Sequence, residues 1–273
     1  MDGLSAGHPA RTPWLIDEIP YQDLDRDAVR DDVQLFYSLA GASFIEITSD
    51  LYTANLVAFY RGDDEVTNWL SRHWEPEELQ HGAALRRYVE TAWPEFDWNT
   101  AYRGFLAEYS GYCGVASNQA LELAARCVVE TGTATAYRAL AEMTTEPILK
   151  RIATNIAADE VRHYKYFYRF FQRYHEIERN SRLAIARTLW RRVTEVDTED
   201  AFLAFKHVWH GARPGREFQP GDYNEFRARV RDAGKRYYPY NMAVRMMLKP
   251  LELRPPVVRA IVPPIVFAAR HLF

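Results

Sequence analysis

Apolar positions recur at intervals of three and four along most of the chain, and no stretch alternates apolar with polar in the manner of a half-buried strand. The first long helical segment predicted by this pattern covers about 26–60, with Val33, Phe36, Tyr37, Ala40, Phe44, Ile47, Leu51 and Ala54 on one face. Arg61-Gly62-Asp63-Asp64 then reads as a stop followed by a new N-cap. A second helix covers about 65–93 and ends at Pro94, with Pro76 marking a kink or restart. Residues 97–114 are mixed and glycine-punctuated, a third helix covers about 117–144, and a fourth about 148–179. Residues 180–273 are less regular: Arg213-Pro214-Gly215 and Pro220-Gly221 mark a loop, and Pro250, Pro255-Pro256 and Pro263-Pro264 divide the tail. The expectation is one domain over 1–273, an all-α bundle at about 26–179 with a helical appendage at about 180–273 wrapped on it.

Composition narrows this picture. The chain is 48% hydrophobic and carries a formal net charge of −3, which argues against a nucleic-acid partner. Its two cysteines, Cys113 and Cys127, offer neither a disulfide framework nor a thiolate zinc site, and a reducing cytoplasmic setting is expected. Residues 1–20 hold three prolines and no apolar signal-like run. The tail from 257 onward is apolar, but Pro263-Pro264 interrupts it and Arg259, Arg270 and His271 punctuate it, so no transmembrane segment is expected. Packing of this tail on the body is the leading expectation, and peripheral membrane contact the lesser one.

The chemistry lies in two Glu-x-x-His motifs, Glu78-Leu79-Gln80-His81 and Glu160-Val161-Arg162-His163. Residues i and i+3 of a helix share a face, so each carboxylate and imidazole can reach one ion. A paired-metal site in a bundle also needs one Glu from each of the other two helices. Glu46 and Glu130 qualify, each an acid amid apolar neighbours. Glu46 precedes Glu78 by 32 residues and Glu130 precedes Glu160 by 30, a near-repeat that suits two packed hairpins. Four carboxylates facing one core unpaired would be prohibitively costly, so a cation is required. The fold class expected is therefore a ferritin-like four-helix bundle with a di-metal carboxylate core plus extra C-terminal helices. Oxygen-rich ligation with two imidazoles favours two iron ions, with manganese as the alternative, over zinc. Asp159 and Glu77 are placed to accept hydrogen bonds from the outer nitrogens of the histidines, and Arg162 to neutralise them. Thr133, three residues after Glu130, is a candidate for proton handling, against the blander reading of a hydroxyl bonded to its own helix. Trp74, Tyr137, Tyr164, Tyr166 and Tyr168 read as packing, with electron relay the lesser possibility.

Trp74-Glu75-Pro76-Glu77-Glu78-Leu79-Gln80-His81-Gly82 resembles the Trp-x-x-Glu-Glu-x-x-His-Gly segment of the soluble acyl-acyl-carrier-protein desaturases. Residues 156–163, Ile-Ala-Ala-Asp-Glu-Val-Arg-His, are similar to that family's Ile-Ala-x-Asp-Glu-x-Arg-His segment, and Glu130 with Thr133 to its Glu-x-x-Thr step. The likeness covers about 42–168. It implies metal ligands at Glu46, Glu78, His81, Glu130, Glu160 and His163, a homodimeric helical fold, O2 as co-substrate and a ferredoxin-type electron donor. Gln80 stands where the family usually has Arg, and Thr131-Gly132 where plant members have Arg-Ala.

The function expected is O2-dependent oxidation, leading with desaturation of a fatty acyl chain on acyl carrier protein or another acyl carrier. The alternatives are a di-iron hydroxylase or N-oxygenase, and a metal-storage or peroxide-scavenging protein. Arg179, Arg182, Arg187, Arg191 and Arg192 are candidates for a basic face that meets an acidic carrier. Cys113 and Cys127, 14 residues apart along one helical region, would stand roughly 21 Å apart on a continuous helix, beyond disulfide reach. Thiol titration under denaturing, non-reducing conditions should therefore find both free, and a count below two would break that helical register.

Overall fold

The computed structural model describes residues 14–109, 116–195 and 200–272. Among them every regular element is helical. In chain order the main elements are α1 (Val33–Ile47), α2 (Ser49–Phe59), α3 (Asp64–Trp69), α4 (Glu75–Ala92), α5 (Trp98–Glu108), α6 (Gln119–Met143) and α7 (Pro147–Glu178). They are followed by α8 (Arg182–Glu195), α9 (Asp200–Ala212), α10 (Pro220–Gly234), α11 (Tyr240–Leu248) and α12 (Pro255–Leu272). The structure is a ferritin-like four-helix bundle in which α1 lies along α4 and α6 along α7.

Local chemistry sets the helix starts. Asp32, Asp63, Asp97 and Asn118 each accept from a backbone N–H in the first turn of α1, α3, α5 and α6. Glu146 does the same for α7, accepting from Ile148 and Leu149, with Pro147 at the first helical position, where no N–H is needed. Only residues 144–146 separate α6 from α7, so these two long helices fold back as an antiparallel hairpin.

Several expectations change. The first segment is two helices, because Thr48 Oγ1 donates to the carbonyls of Phe44 and Ile45 and Ser49 Oγ to that of Glu46, ending α1 at Ile47, directly after its acid. Residues 98–108 form the amphipathic helix α5, whose Trp98, Ala101 and Phe105 are buried. Between α3 and α4 the chain passes through a π-helical turn, Leu70–Trp74, which accommodates Pro76 without ending the helix. The tail divides at Pro250, in a 3-10 turn, and again before Pro255, the first residue of α12, but Pro263 and Pro264 do not break it, for α12 runs through both. It does pack on the body along α11, with Val262 the one buried side chain among its described residues. Cys127 is free and buried, whereas Cys113 lies outside the described residues.

The apolar interior falls into two clusters. One gathers α1, α4, α5 and α9 around Phe36, Phe44, Trp98, Phe105 and Phe205. The other gathers α2, α3, α8 and the facing halves of α6 and α7 around Leu56, Leu70, Leu123, Phe167 and Phe171. The appendage takes part in both, since α9 contributes Ala204, Phe205, Val208 and Trp209 to the first and α8 contributes Ile185 and Leu189 to the second.

Gly82 brings α1 and α4 together at the level of Glu46. A Cβ there would stand 2.5 Å from Ile47 Cγ1 and 2.7 Å from the Ile47 backbone nitrogen. Backbone cannot retreat as a flexible side chain does, so α1 would have to move. Gly82→Ala should destabilise the protein by about 1–3 kcal/mol, the usual range for overpacking, read as a lower urea midpoint with an unchanged m-value. A midpoint equal to wild type would mean that α1 does not sit this close.

Candidate metal centre

A buried group of acids and imidazoles occupies the middle of the bundle. Glu46 comes from α1, Glu78 and His81 from α4, Glu130 from α6, and Glu160 and His163 from α7. One ligand atom each from Glu46, Glu78, His81 and Glu160 lies within 4.8 Å of the others, as does one each from Glu78, Glu130, Glu160 and His163. Glu78 and Glu160 belong to both sets, the arrangement two neighbouring ions need if carboxylates bridge them. His81 is 0% exposed, and Glu130, Glu160 and His163 are 1% exposed, so water does not solvate these groups.

The two histidines present the same nitrogen inward. His163 Nδ1 stands 2.9 Å from Glu78 Oε1 and 3.4 Å from Glu130 Oε2, and His81 Nδ1 stands 3.2 Å from Glu160 Oε1. All five of these atoms are buried without a hydrogen-bond partner. Atoms this close yet lacking hydrogen-bond alignment are aimed at a common point rather than at one another. A buried polar atom left so costs about 1–3 kcal/mol, more if charged. A cation would satisfy all five together, so this donor set can hold metal.

The outer nitrogens are held crosswise. His81 Nε2 of α4 lies 3.2 Å from Asp159 Oδ2 of α7, and His163 Nε2 of α7 lies 2.7 Å from Glu77 Oε2 of α4. Asp159, though burial opposes it, is held down at about 2 by hydrogen bonds from His81 and Trp14 and by the Arg162 charge. An ionised carboxylate only accepts, so each Nε2 keeps a proton there, and each Nδ1 faces inward as the atom that can bind metal once its own proton is displaced. Arg162 ties the two supports together, donating to Asp159 Oδ1 at 2.9 Å and to Glu77 Oε2 at 2.7 Å. Asp159, Glu77 and Arg162 therefore stand where the sequence suggested, but each acid serves the histidine of the other helix.

Thr133 Oγ1 donates to Glu160 Oε2 at 2.7 Å, closer than its contacts with the carbonyls of Val129 and Glu130 at 3.2 and 3.3 Å. Trp74 Nε1 donates to Glu130 Oε1 at 3.2 Å and Tyr137 Oη to Glu46 Oε1 at 2.6 Å. Tyr164, Tyr166 and Tyr168 serve elsewhere: Tyr164 donates to the Met246 carbonyl, Tyr166 stacks on Trp69, and Tyr168 lies under Lys249. Two further residues escaped sequence reasoning. Trp14 donates to Asp159 Oδ2 at 2.7 Å and stacks parallel to His81, yet it sits in a proline-rich stretch with no periodicity. Arg126 forms a buried pair with Glu122 at 2.9 Å, and its position four residues before Glu130 is a spacing that would have revealed it. Of the proposed basic face, Arg182, Arg187 and Arg191 are exposed, whereas Arg192 turns inward with its Nε buried, and Arg179 closes α7 in a left-handed conformation.

The family model for fatty acid desaturases matches residues 59–225, more than half of the chain. The chain belongs to the fatty acid desaturase family. The matched span of this desaturase-family protein contains both Glu-x-x-His motifs and Glu130, while Glu46 precedes it. No curated protein matches the chain.

Burial and repulsion set the protonation of the metal-free cluster. Burial, then the Glu160 charge, raises Glu130 to about 8 and lifts Glu46 and Glu78 in the same direction. Glu160 is itself buried, but the adjacent His163 and His81 imidazoles hold it well below the usual carboxylate range. Burial lowers His81, yet Asp159 and Glu160 outweigh it and raise the imidazole to about 10. Metal must therefore displace protons. The sign is fixed: groups protonated without metal and deprotonated with it make affinity rise with pH. Anaerobic calorimetry with Fe2+ or Mn2+ should show proton release and an affinity that climbs from roughly pH 6 to pH 8. A pH-independent affinity would mean that these carboxylates are not the ligands.

Proposed function

We propose that this desaturase-family protein holds two iron ions in the central cluster and uses O2 to desaturate a fatty acyl chain delivered on an acyl carrier. One observation carries the reading: in a fatty acid desaturase family chain, five inward donor atoms are buried without partners among four carboxylates. Glu46, Glu78, Glu130 and Glu160 bring four negative charges when ionised, and two divalent cations cancel them. A single ion would leave excess charge in a low-dielectric core, which is expensive.

The bound iron pair supplies O2 activation; the chain supplies position, protons and dryness. Glu77 and Asp159 fix the imidazoles so that both Nδ1 atoms bind. Thr133 holds a proton at Glu160 Oε2, a position from which it can pass to a reduced oxygen species. Tyr137 fixes the free swing of Glu46, and Trp74 that of Glu130. The balance is simple. Two hydrogens leave adjacent methylenes of the acyl chain, a carbon–carbon double bond forms, and O2 is reduced to two waters with two further electrons and two protons. A ferredoxin-type donor supplies the electrons, and the exposed Arg187 and Arg191 suit an acidic carrier in a reducing cytoplasm.

Elemental analysis of protein from iron-supplemented cells should find close to two irons per chain, and His163→Ala should lower the count. Reduced protein is then incubated with O2, a ferredoxin system and acyl carriers of differing chain length. A mass loss of two hydrogens on an acyl chain is the expected result. Gain of one oxygen would make the protein an oxygenase, and full iron loading of His163→Ala would remove the ligand assignment itself.

A further inference from the structure

The C-terminal helix α12 presents an outward face that the oxidation chemistry does not use. At 3.6 residues per turn, Pro256, Val257, Ala260, Pro263, Pro264 and Phe267 share an arc of roughly 120°, and all six are exposed. Phe267 is 67% exposed and Val257 42%. The opposite side carries Val262, buried against the body where α12 meets α11. An amphipathic helix normally turns its apolar face inward, and this one turns an apolar arc outward.

The charges say what covers it. From Leu253 to Leu272 there is no Asp or Glu, whereas Arg254, Arg259, Arg270 and His271 are all present in a chain of net charge −3. Arg259 and Arg270 fall along one edge of the arc, and both are exposed. A second copy of the chain seated there across a two-fold axis would bring like charges together. An acidic protein partner would engage the arginines and leave Phe267 and the prolines without a role. Apolar side chains flanked by cations fit anionic phospholipid, with the rings and branched chains below the headgroups and the guanidinium groups among the phosphates.

The helix lies on such a surface rather than crossing it. Eighteen residues span about 27 Å, short of the roughly 30 Å hydrocarbon core, and no helix among the described residues is long and apolar enough to cross a membrane. Pro263 and Pro264 leave the carbonyls of Arg259 and Ala260 without helical donors. Water at the headgroup level can hydrate those carbonyls, and hydrocarbon cannot.

We infer that α12 is a membrane-surface anchor that seats this protein on an anionic phospholipid bilayer through Phe267 and its proline-lined face, with Arg259 and Arg270 on the headgroups. The test is flotation of the full chain with vesicles of phosphatidylcholine alone and of phosphatidylcholine mixed with phosphatidylglycerol. Wild type should float with the mixed vesicles and not with the neutral ones, and added salt should weaken the binding. Phe267→Asp and Arg259→Glu should each reduce binding roughly tenfold, while Leu51→Asp, at an exposed position of α2, should bind as wild type does. Circular dichroism checks folding, and Arg259→Glu, an exposed change, carries the test if Phe267→Asp does not fold. Wild type that stays off the anionic vesicles, or variants that float equally well, would overturn the anchor. So would a concentration-dependent dimer abolished by Phe267→Asp with no vesicle binding, which would give the face to a second copy.

Discussion

The electrostatic problem of four buried glutamates governs this molecule. Glu46, Glu78, Glu130 and Glu160 come from four different helices and meet between two apolar clusters. Without compensation each ionised carboxylate would cost several kcal/mol in such a place, a large fraction of the stability of any single domain. Two remedies are available, protons and metal, and the same geometry serves both. Without metal, burial and mutual repulsion raise Glu46, Glu78 and Glu130 until protons neutralise them, while Glu160, flanked by both imidazoles, keeps its charge. Metal bound among the same donors would take over that role.

The bundle is built to make the acids meet. Gly82 lets α1 approach α4 closely enough for Glu46 to reach the cluster. Residues 144–146 fold α7 back on α6, so Glu130 faces Glu160 and Thr133 reaches across to Glu160. The π-helical turn Leu70–Trp74 rotates the helix just before Glu77 and Glu78 and leaves Trp74 pointing at Glu130. Such turns recur next to functional sites because the extra residue re-aims the side chains of the next turn. Arg162 then locks α4 to α7 by bonding both outer carboxylates at once.

Range along the chain decides which features are legible in the sequence and which are hidden. Glu-x-x-His is an i, i+3 relation, and one period places both side chains; the near-equal 32- and 30-residue spacings extend that logic to Glu46 and Glu130. Helices 65–93, 117–144 and 148–179 are legible because each carries strong periodicity between caps. The break at Thr48 is hidden, since it depends on hydroxyls of Thr48 and Ser49 capturing carbonyls that a propensity argument leaves to the helix. Trp14 is hidden altogether: it reaches Asp159 across 145 positions of sequence, and nothing local marks it. The crossing of Glu77 to His163 and Asp159 to His81 is equally invisible, because it is set by how α4 and α7 face each other.

The prolines of α12 show why a breaker is read correctly only with its surroundings. In a buried helix, Pro263-Pro264 would strand two carbonyls and cost about 3 kcal/mol or more. On an exposed helix, carbonyls that lose their helical donors can be hydrated instead, and α12 keeps its helical course through the pair. The residues that argue against a span and against a buried tail are thus the ones that fit a helix lying at a wet boundary. The bundle and the tail obey one rule from opposite sides. Acids buried in the bundle must find protons or a cation, and apolar groups exposed on α12 lie beside cations of their own.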